Sequence, residues 1–506
     1  MKLLNLIEDL YVTAEWPMIL DREITGISTN HKKVKKGDVF IALRGENFDG
    51  NNYITEAIEN GASAVVSDRF YNRHQCVCVR DAREAYAIMS KHFYEDACDK
   101  LKIVAVTGTN GKTTTCNTIA DILRTNGKKV GVIGTLGAKM EDHVIDTGMT
   151  TPDPDKLHEI FKNMVDEGIE YVVMEASAHA LALKKLDGIT FKAGVLTNIT
   201  EDHLDYFVNM DRYANAKFKL FDRERVKKAI ICQGKTYDEN FLNHIRVPYV
   251  TYGIDEGQEE KPDLCARATK KSFDGSTFIC DNQGEETLIK TPLVGQYNIE
   301  NVLASIAVCK ELGLTMEEIQ KGVCCTMPVE GRFNVIDING TKVVIDFAHT
   351  PDGLEKVLTT AKELNGNRLV VVFGCGGERD ALKRPIMGEI ASRLADDVIL
   401  TSDNPRSENP YEIIAQIRSG AKGDNVIAIE NRQSAIEYAL SKYHRGETIV
   451  IAGKGGERYQ EINGEKIPYN DFDVVSACYR DAFIDSYREG NPMYIEPDDY
   501  DETQCE

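Results

Sequence analysis

The run Ile103-Val104-Ala105-Val106-Thr107-Gly108-Thr109-Asn110-Gly111-Lys112-Thr113-Thr114-Thr115 has the residue types and the spacing that binding a triphosphate requires. A glycine-rich turn lets backbone N–H groups face phosphate oxygens, and the positive end of a following helix adds to the attraction. Lys112 supplies a mobile positive charge, and the Thr113 hydroxyl can reach Mg²⁺. Val106 stands where the usual eight-residue pattern has its first glycine. For this stretch alone, an ordinary glycine turn in a βα unit stays open.

Further polar clusters could share a cleft with it. They run from Glu175 to His179, Thr197 to Asp205, Asp346 to Asp352, Gly374 to Asp380, Thr401 to Arg406 and Gly453 to Glu457. Each follows a short apolar run, and open α/β sheets bind ligands beyond the carboxyl ends of their strands. Caps and turns use the same residue types, but repetition at matching positions favours one site. Glu175 and His203 could supply metal contacts. Mg²⁺ prefers hard oxygen ligands, so a capping or core role for His203 also stays open. Arg379, Lys383, Arg384 and Arg406 are bases suited to carboxylates or phosphates. An ATP site facing an anion site fits a ligase, in which ATP activates a carboxylate as an acyl phosphate and an amine attacks it.

The elements that must position these groups form three blocks. Residues 1–100 hold strand-like runs at Gly37 to Leu43 and Ala62 to Val66. From Leu101, strands alternate with helices. Ile119, Ile122 and Leu123 make a helical face that Gly127 can stop; Leu157, Ile160, Phe161, Met164 and Val165 make another that Gly168 ends. Strands follow at Tyr171 to Met174 and Ala193 to Leu196, which predicts a mostly parallel sheet. Asp255 to Glu286 reads as a short antiparallel insertion. The third block starts near Phe333, with strands at Val343 to Ile345, Leu369 to Phe373, Val398 to Leu400, Val426 to Ile429 and Ile449 to Ala452. The expected fold is α/β with three domains: a small N-terminal α/β domain (1–100), a central P-loop ATPase-like parallel-sheet domain (101–332) and a C-terminal Rossmann-like doubly wound domain (333–490). Residues 491–506 are expected to be a disordered acidic tail.

The 506 residues, 42% of them hydrophobic, suit roughly three cores. A net charge of −21 without a basic patch argues against nucleic acid. The 13 cysteines lack zinc spacing and read as reduced thiols. No signal peptide or membrane span is visible, so a cytoplasmic protein without membrane insertion is expected.

The chain resembles the Mur ligase family, the ATP-dependent amide ligases of peptidoglycan precursor synthesis. The resemblance runs from about Leu4 to Ala482. It rests on Gly108 to Thr113, Glu175-Ala176-Ser177, Asn198 to Asp205, Gly295 to Asn301, Glu330-Gly331-Arg332-Phe333 and Asp346 to Pro351. Thr150-Thr151-Pro152, Gly374 to Asp380 and Asp403-Asn404-Pro405-Arg406 are similar to members that extend UDP-N-acetylmuramoyl-L-alanyl-D-glutamate. In that branch, Asp-Asn-Pro-Arg marks addition of meso-diaminopimelate.

The resemblance implies roles. Gly108, Thr109, Asn110, Gly111, Lys112, Thr113 and Thr114 would hold the ATP phosphates, and Asn298, Arg332 and Asp346 would contact the nucleotide. Thr113, Glu175, His203 and Lys217 would serve Mg²⁺, and Lys112, Glu175, His203 and Lys217 would form the catalytic set. Lys217 matches a family lysine that is carbamylated, which turns a cation into an anionic oxygen ligand. From the residues alone, Lys217 reads as a surface helix lysine. Thr150, Thr151, Ser177 and Lys185 would bind the UDP-muramoyl-dipeptide. Arg379, Asp403, Asn404, Pro405, Arg406, Gly453 and Glu457 would bind the incoming amino acid. A monomer acting on small-molecule substrates is expected.

Some positions depart from the family pattern. Asn30, His31 and Lys32 replace Asp-Ser-Arg, Met149 replaces Asn, Leu183 and Lys185 replace Gln and Arg, and Gly456 replaces His. Two other readings therefore stand beside the diaminopimelate ligase. One is a paralogue joining another amino acid, such as L-lysine, or using another carboxylate. The other is a non-catalytic nucleotide-binding scaffold.

Overall fold

The computed structural model describes residues 1–488 apart from 46–47, 72–74, 142, 224, 236–240 and 258–259. The acidic tail at 491–506 lies outside the described residues.

Strand Lys102–Thr107 is buried along all but its first residue, so it needs a sheet covered on both faces. It pairs in parallel with Tyr171–Glu175 on one side and Ala193–Leu196 on the other. This central sheet has 11 strands. Its parallel part continues to Val130–Gly134 at one side, and through Ala229–Cys232, Tyr249–Ile254 and Leu264–Ser272 at the other. Antiparallel strands prolong both edges. The insertion expected around 255–286 is thus antiparallel in part, but it extends the central sheet rather than standing apart. Helices Lys112–Thr125 and Gln296–Glu311 cover one face, where Ile119, Ile122, Leu303 and Val308 share a core. Leu157, Phe161 and Met164 of helix Pro154–Asp166 cover the other. After Lys102–Thr107 the chain goes first to one side of that strand and later to the other. This reversal opens a crevice at its carboxyl end, where the glycine loop lies.

The C-terminal sheet has 6 strands in the order Asn334–Ile338, Thr341–Asp346, Thr448–Ala452, Leu369–Phe373, Asp397–Leu400, Val426–Ala428. All but the first pair in parallel, as expected for a doubly wound domain. The antiparallel edge strand Asn334–Ile338 was not expected; its half-exposed residues carry little burial pattern. The N-terminal sheet has 5 strands, parallel except for Val12–Ala14 at one edge. Its helix Ala82–Phe93 meets the central unit through Tyr86, whose hydroxyl donates to Asp155 Oδ1 at 2.5 Å. Among the described residues, no helix is long and apolar enough to cross a membrane.

One ion pair ties the C-terminal unit together. Arg432 opens helix Arg432–Lys442 and Asp471 opens helix Asp471–Arg488; both side chains are fully buried. They share two hydrogen bonds of 2.8 Å, and Arg432 also donates to Ala452 O at 3.0 Å. The strand end that leads to Gly453 is therefore anchored to the last helix. Removing one partner strands a buried charge. Asp471→Ala is expected to cost about 3–5 kcal/mol in a denaturant titration. A loss under about 1 kcal/mol, the range of exposed pairs, would contradict this.

Candidate active site

The glycine loop is built to approach a ligand closely. Gly108 and Gly111 have φ of 147° and 86°. A Cβ on Gly108 would collide with the Thr197 hydroxyl, and one on Gly111 with the Asn301 carboxamide, so both positions demand glycine. Asn110 N donates to Asn198 Oδ1 at 3.0 Å, and Thr197 Oγ1 donates to Asn110 O at 2.6 Å. Lys112 Nζ folds over the loop, donating to Gly108 O at 2.9 Å and Thr109 O at 2.8 Å.

Glu175 stands at the end of the neighbouring strand. Its Oε1 accepts from Thr113 Oγ1 at 2.9 Å and from Thr135 N at 3.0 Å. A carboxylate and a hydroxyl, both hard oxygen donors, thus meet beside the loop. This set fits Mg²⁺, which takes one or two carboxylates and leaves positions for phosphate oxygens. Among the described residues, no three His, Cys, Asp or Glu side chains converge as a cage.

Lys217 lies beneath the loop. It is 1% exposed, its Nζ donates to Gly108 O at 2.8 Å, and it sits 4.3 Å from the centre of the Tyr213 ring. Burial, and then the Lys112 charge, hold its ammonium well below the usual lysine range, against the pull of Asp202. The surface lysine read from the residues alone is therefore corrected. Helix Met210–Phe218 turns Tyr213, Ala214, Ala216 and Lys217 inward, and a single cation on that face leaves no periodic signal. His203 has φ of 56° and opens the short helix Leu204–Phe207. Its Nε2 lies 3.3 Å from Asp202, and its ring is 4.9 Å from that of His179. Burial pulls its pKa down to about 4 despite Asp202, so it is neutral at pH 7.

A hydroxyl cluster backs Glu175. Thr151 Oγ1 donates to Glu175 O at 2.8 Å, Ser177 Oγ caps Ala180 N at 3.2 Å, and Thr150 and Thr135 hydroxyls meet at 3.2 Å. Lys185 is paired with Asp153 at 2.8 Å.

The C-terminal unit faces this arrangement. Asp346 accepts from Phe333 N and Ala348 N, both at 2.7 Å. Arg332 lies over the Phe347 ring at 4.3 Å and reaches Thr113 Oγ1 at 3.3 Å. Before it, Gly331 (φ 75°) packs so tightly on Gly455 and Gly456 that a Cβ would overlap their backbone. Asn298 donates to Val294 O at 2.7 Å and accepts from Asn301. Asn110 Nδ2 donates to Asp352 Oδ2 at 2.8 Å, joining the loop directly to helix Pro351–Leu364.

The expected amino-acid cluster is interlinked. Asn404 Nδ2 donates to Glu457 Oε2 at 2.9 Å, and buried Lys454 donates to Asn404 Oδ1 at 2.9 Å and Glu457 Oε2 at 2.8 Å. Gly453 has φ of 113°, and a Cβ there would come 2.6 Å from Asp403 Oδ2. Arg406 donates through Nε to Glu461 Oε2 at 3.0 Å and through Nη1 to Gly377 O at 2.6 Å. Glu461 was missed; it belongs to the hairpin Tyr459–Ile462 and Glu465–Pro468, which carries no clear pattern. Arg384 is corrected as a ligand-binding base. It is buried and holds Glu408 bidentately at 2.8 and 3.0 Å, with Gln416 at 2.7 Å. Arg379 remains exposed.

These groups line a cleft of about 400 Å³. Of the expected site residues, Gly108, Thr151, Ser177, Lys185, Lys217 and Pro405 lie outside its lining, and the rest line it. It also takes Asp202, Glu300, His349, Lys356, Asp380 and Lys383. A phosphate-binding loop, hard oxygen donors and a charged pocket across one cleft define an ATP-dependent ligase site.

Family models bear this out along the chain. Residues 23–101 match the Mur ligase family catalytic domain, 106–309 the Mur ligase middle domain, and 331–455 the Mur ligase glutamate ligase domain. The chain is 39% identical to UDP-N-acetylmuramoyl-L-alanyl-D-glutamate--2,6-diaminopimelate ligase 1 of Clostridium acetobutylicum over 470 residues, 92% of this chain and 96% of that one. It is 40% identical to the ligase of the same name, without the number, from Caldanaerobacter subterraneus subsp. tengcongensis over 459 residues, 90% and 94% of the two chains. A solved structure of a UDP-N-acetylmuramoyl-L-alanyl-D-glutamate--2,6-diaminopimelate ligase superposes with a TM-score of 0.68 at 30% identity, covering 95% of this chain and 99% of that one. The chain belongs to the Mur ligase family.

Asp346 gives this site a pH signature. Burial raises its pKa to about 6, against Arg332 and its two backbone donors. A carboxyl harder to ionise when folded adds stability that is full below its unfolded range and lost as pH rises through about 6. Relative to Asp346→Asn, the wild type is expected to lose roughly 3 kcal/mol between about pH 4 and 6.5. A pH-independent difference between the two denaturation curves would refute this.

Proposed function

We propose that this chain joins meso-diaminopimelate to UDP-N-acetylmuramoyl-L-alanyl-D-glutamate in peptidoglycan precursor synthesis, using ATP and an acyl-phosphate intermediate and releasing ADP and phosphate. The observation that carries this is one cleft joining the glycine loop to Asn404, Arg406 and Glu457. In this reading residues 1–100 hold the UDP end, 101–332 the ATP and 333–490 the amino acid. Lys112 and the loop N–H groups hold the phosphates, with Arg332, Asp346 and Asn298 on the rest of the nucleotide. Thr113, Glu175 and neutral His203 face the Mg²⁺ position, where the ion would neutralise phosphate charge. Thr150, Thr151, Ser177 and Lys185 hold the muramoyl peptide. Arg379 and Asp403 frame the amino-acid pocket. Glu457 pairs with the distal ammonium. The Nη2 edge of Arg406 takes the distal carboxylate, with Glu461 and Gly377 fixing the guanidinium.

Lys217 is carbamylated in this reading. A buried amine held below its ordinary range is unprotonated often enough to take up CO₂, and the product replaces one of two neighbouring cations with an oxygen anion. Lys217→Ala is expected to lose most activity and regain part of it with added small carboxylates. Full activity without an additive would sink the assignment.

Selectivity is tested by phosphate release from ATP with UDP-muramoyl-dipeptide and each of meso-diaminopimelate, L-lysine and L-ornithine. A charge-assisted carboxylate contact is worth roughly 1.5–3 kcal/mol. Preference for meso-diaminopimelate of on the order of 10²-fold is therefore expected. Arg406→Ala should remove that preference while ATP binding persists. Equal use of L-lysine by the wild type would move the paralogue reading ahead.

A further inference from the structure

The start of helix Lys383–Leu394 and the segment just before it present two charged side chains to the cleft that the roles above leave unused. Asp380, just before it, is 8% exposed, and Lys383, its first residue, is 7% exposed. Asp380 Oδ1 accepts from Leu382 N at 2.9 Å, which fixes the carboxylate. Its Oδ2 is buried without a hydrogen-bond partner among the described residues. A buried acceptor left unpaired is costly, so this oxygen is open to a donor from water or a ligand. Lys383 makes no ion pair among the described residues. Lys383 lines the same cleft as Lys112 and Thr113 of the glycine loop. Asp380 follows Arg379 on the amino-acid side. Three residues apart, an acceptor without a donor and a cation thus line the same cleft.

We infer that Asp380 takes the proton from the attacking ammonium and that Lys383 receives the phosphoryl oxygens of the acyl phosphate. The inference rests on the ligase reading and deepens it. An ammonium has no lone pair with which to attack. One of its protons passes to Asp380 Oδ2, and the freed pair forms the C–N bond at the acyl carbon. The C–O bond to phosphate breaks, its electron pair leaves with the phosphate, and a second nitrogen proton passes to that phosphate. The Lys383 ammonium offsets the charge that gathers on the departing oxygens.

Hydroxylamine separates these roles, because it is uncharged at neutral pH and needs no base. Enzyme with ATP and UDP-muramoyl-dipeptide is given either meso-diaminopimelate or hydroxylamine. Asp380→Asn keeps the acceptor for Leu382 N. It is expected to slow amide formation with diaminopimelate on the order of 10²-fold or more, recovering as pH rises, while hydroxamate formation stays near wild type. Lys383→Met is expected to slow both. Equal loss with both nucleophiles in Asp380→Asn, or no loss with diaminopimelate, would overturn the role of Asp380. Unchanged hydroxamate formation in Lys383→Met would overturn that of Lys383. Failure of the ligase reading looks different: the wild type itself would then yield neither hydroxamate nor phosphate.

Discussion

Two ammonium groups, those of Lys112 and Lys217, donate to a single carbonyl oxygen, that of Gly108. Two ammonium charges this close in a poorly solvated interior would repel strongly, which is part of what holds the Lys217 amine well below its ordinary range. Glu175 and Asp202 offset part of that repulsion, and an arriving polyphosphate offsets more. The surrounding structure keeps this oxygen in place. Lys102–Thr107 is locked between two parallel neighbours, and Thr197 and Asn198 at the end of one of them brace the loop from the side. The positive potential of the loop N–H groups and Lys112 is therefore fixed before a ligand arrives, which is how a site avoids reorganisation during reaction. It is also local: the chain as a whole carries −21.

The second constraint is that no single unit of the fold is sufficient. The loop and Glu175 belong to the central sheet, whereas Asp346, Arg406 and Glu457 belong to the C-terminal one. An acyl phosphate is destroyed by water, so the two must meet over it. The Asn110–Asp352 hydrogen bond shows them already in contact.

Much of this was legible in the sequence, for physical reasons. Strands buried on both faces are unbroken apolar runs, so Leu369–Phe373 and Ala193–Leu196 stand out at their observed bounds. Polar clusters following such runs mark the crevice. What escaped was whatever depends on contacts distant in sequence. Lys217 and Arg384 are both cations on helices; one is buried under the loop and the other is consumed by Glu408, and composition distinguishes neither from an exposed base. Edge strands such as Val12–Ala14 are too short for a period to show. Glu461 meets Arg406 only because a hairpin folds back over it. The family resemblance, not the residue pattern, singled out Lys217.

The close packing of Gly331 on Gly455 and Gly456 has a mechanical meaning. The segment joining the two larger units is pressed against the loop that carries Glu457, and Glu330 is paired with Arg458 at 2.6 Å. The linking segment and the loop that carries Glu457 are therefore packed together as one piece. A Cβ at position 456 would come 3.0 Å from Glu330 O, so any larger residue there must be accommodated by a shift of the segment that carries Glu330. The glycine at this position, where the family pattern has histidine, is accordingly a matter of how closely two segments distant in sequence can pack.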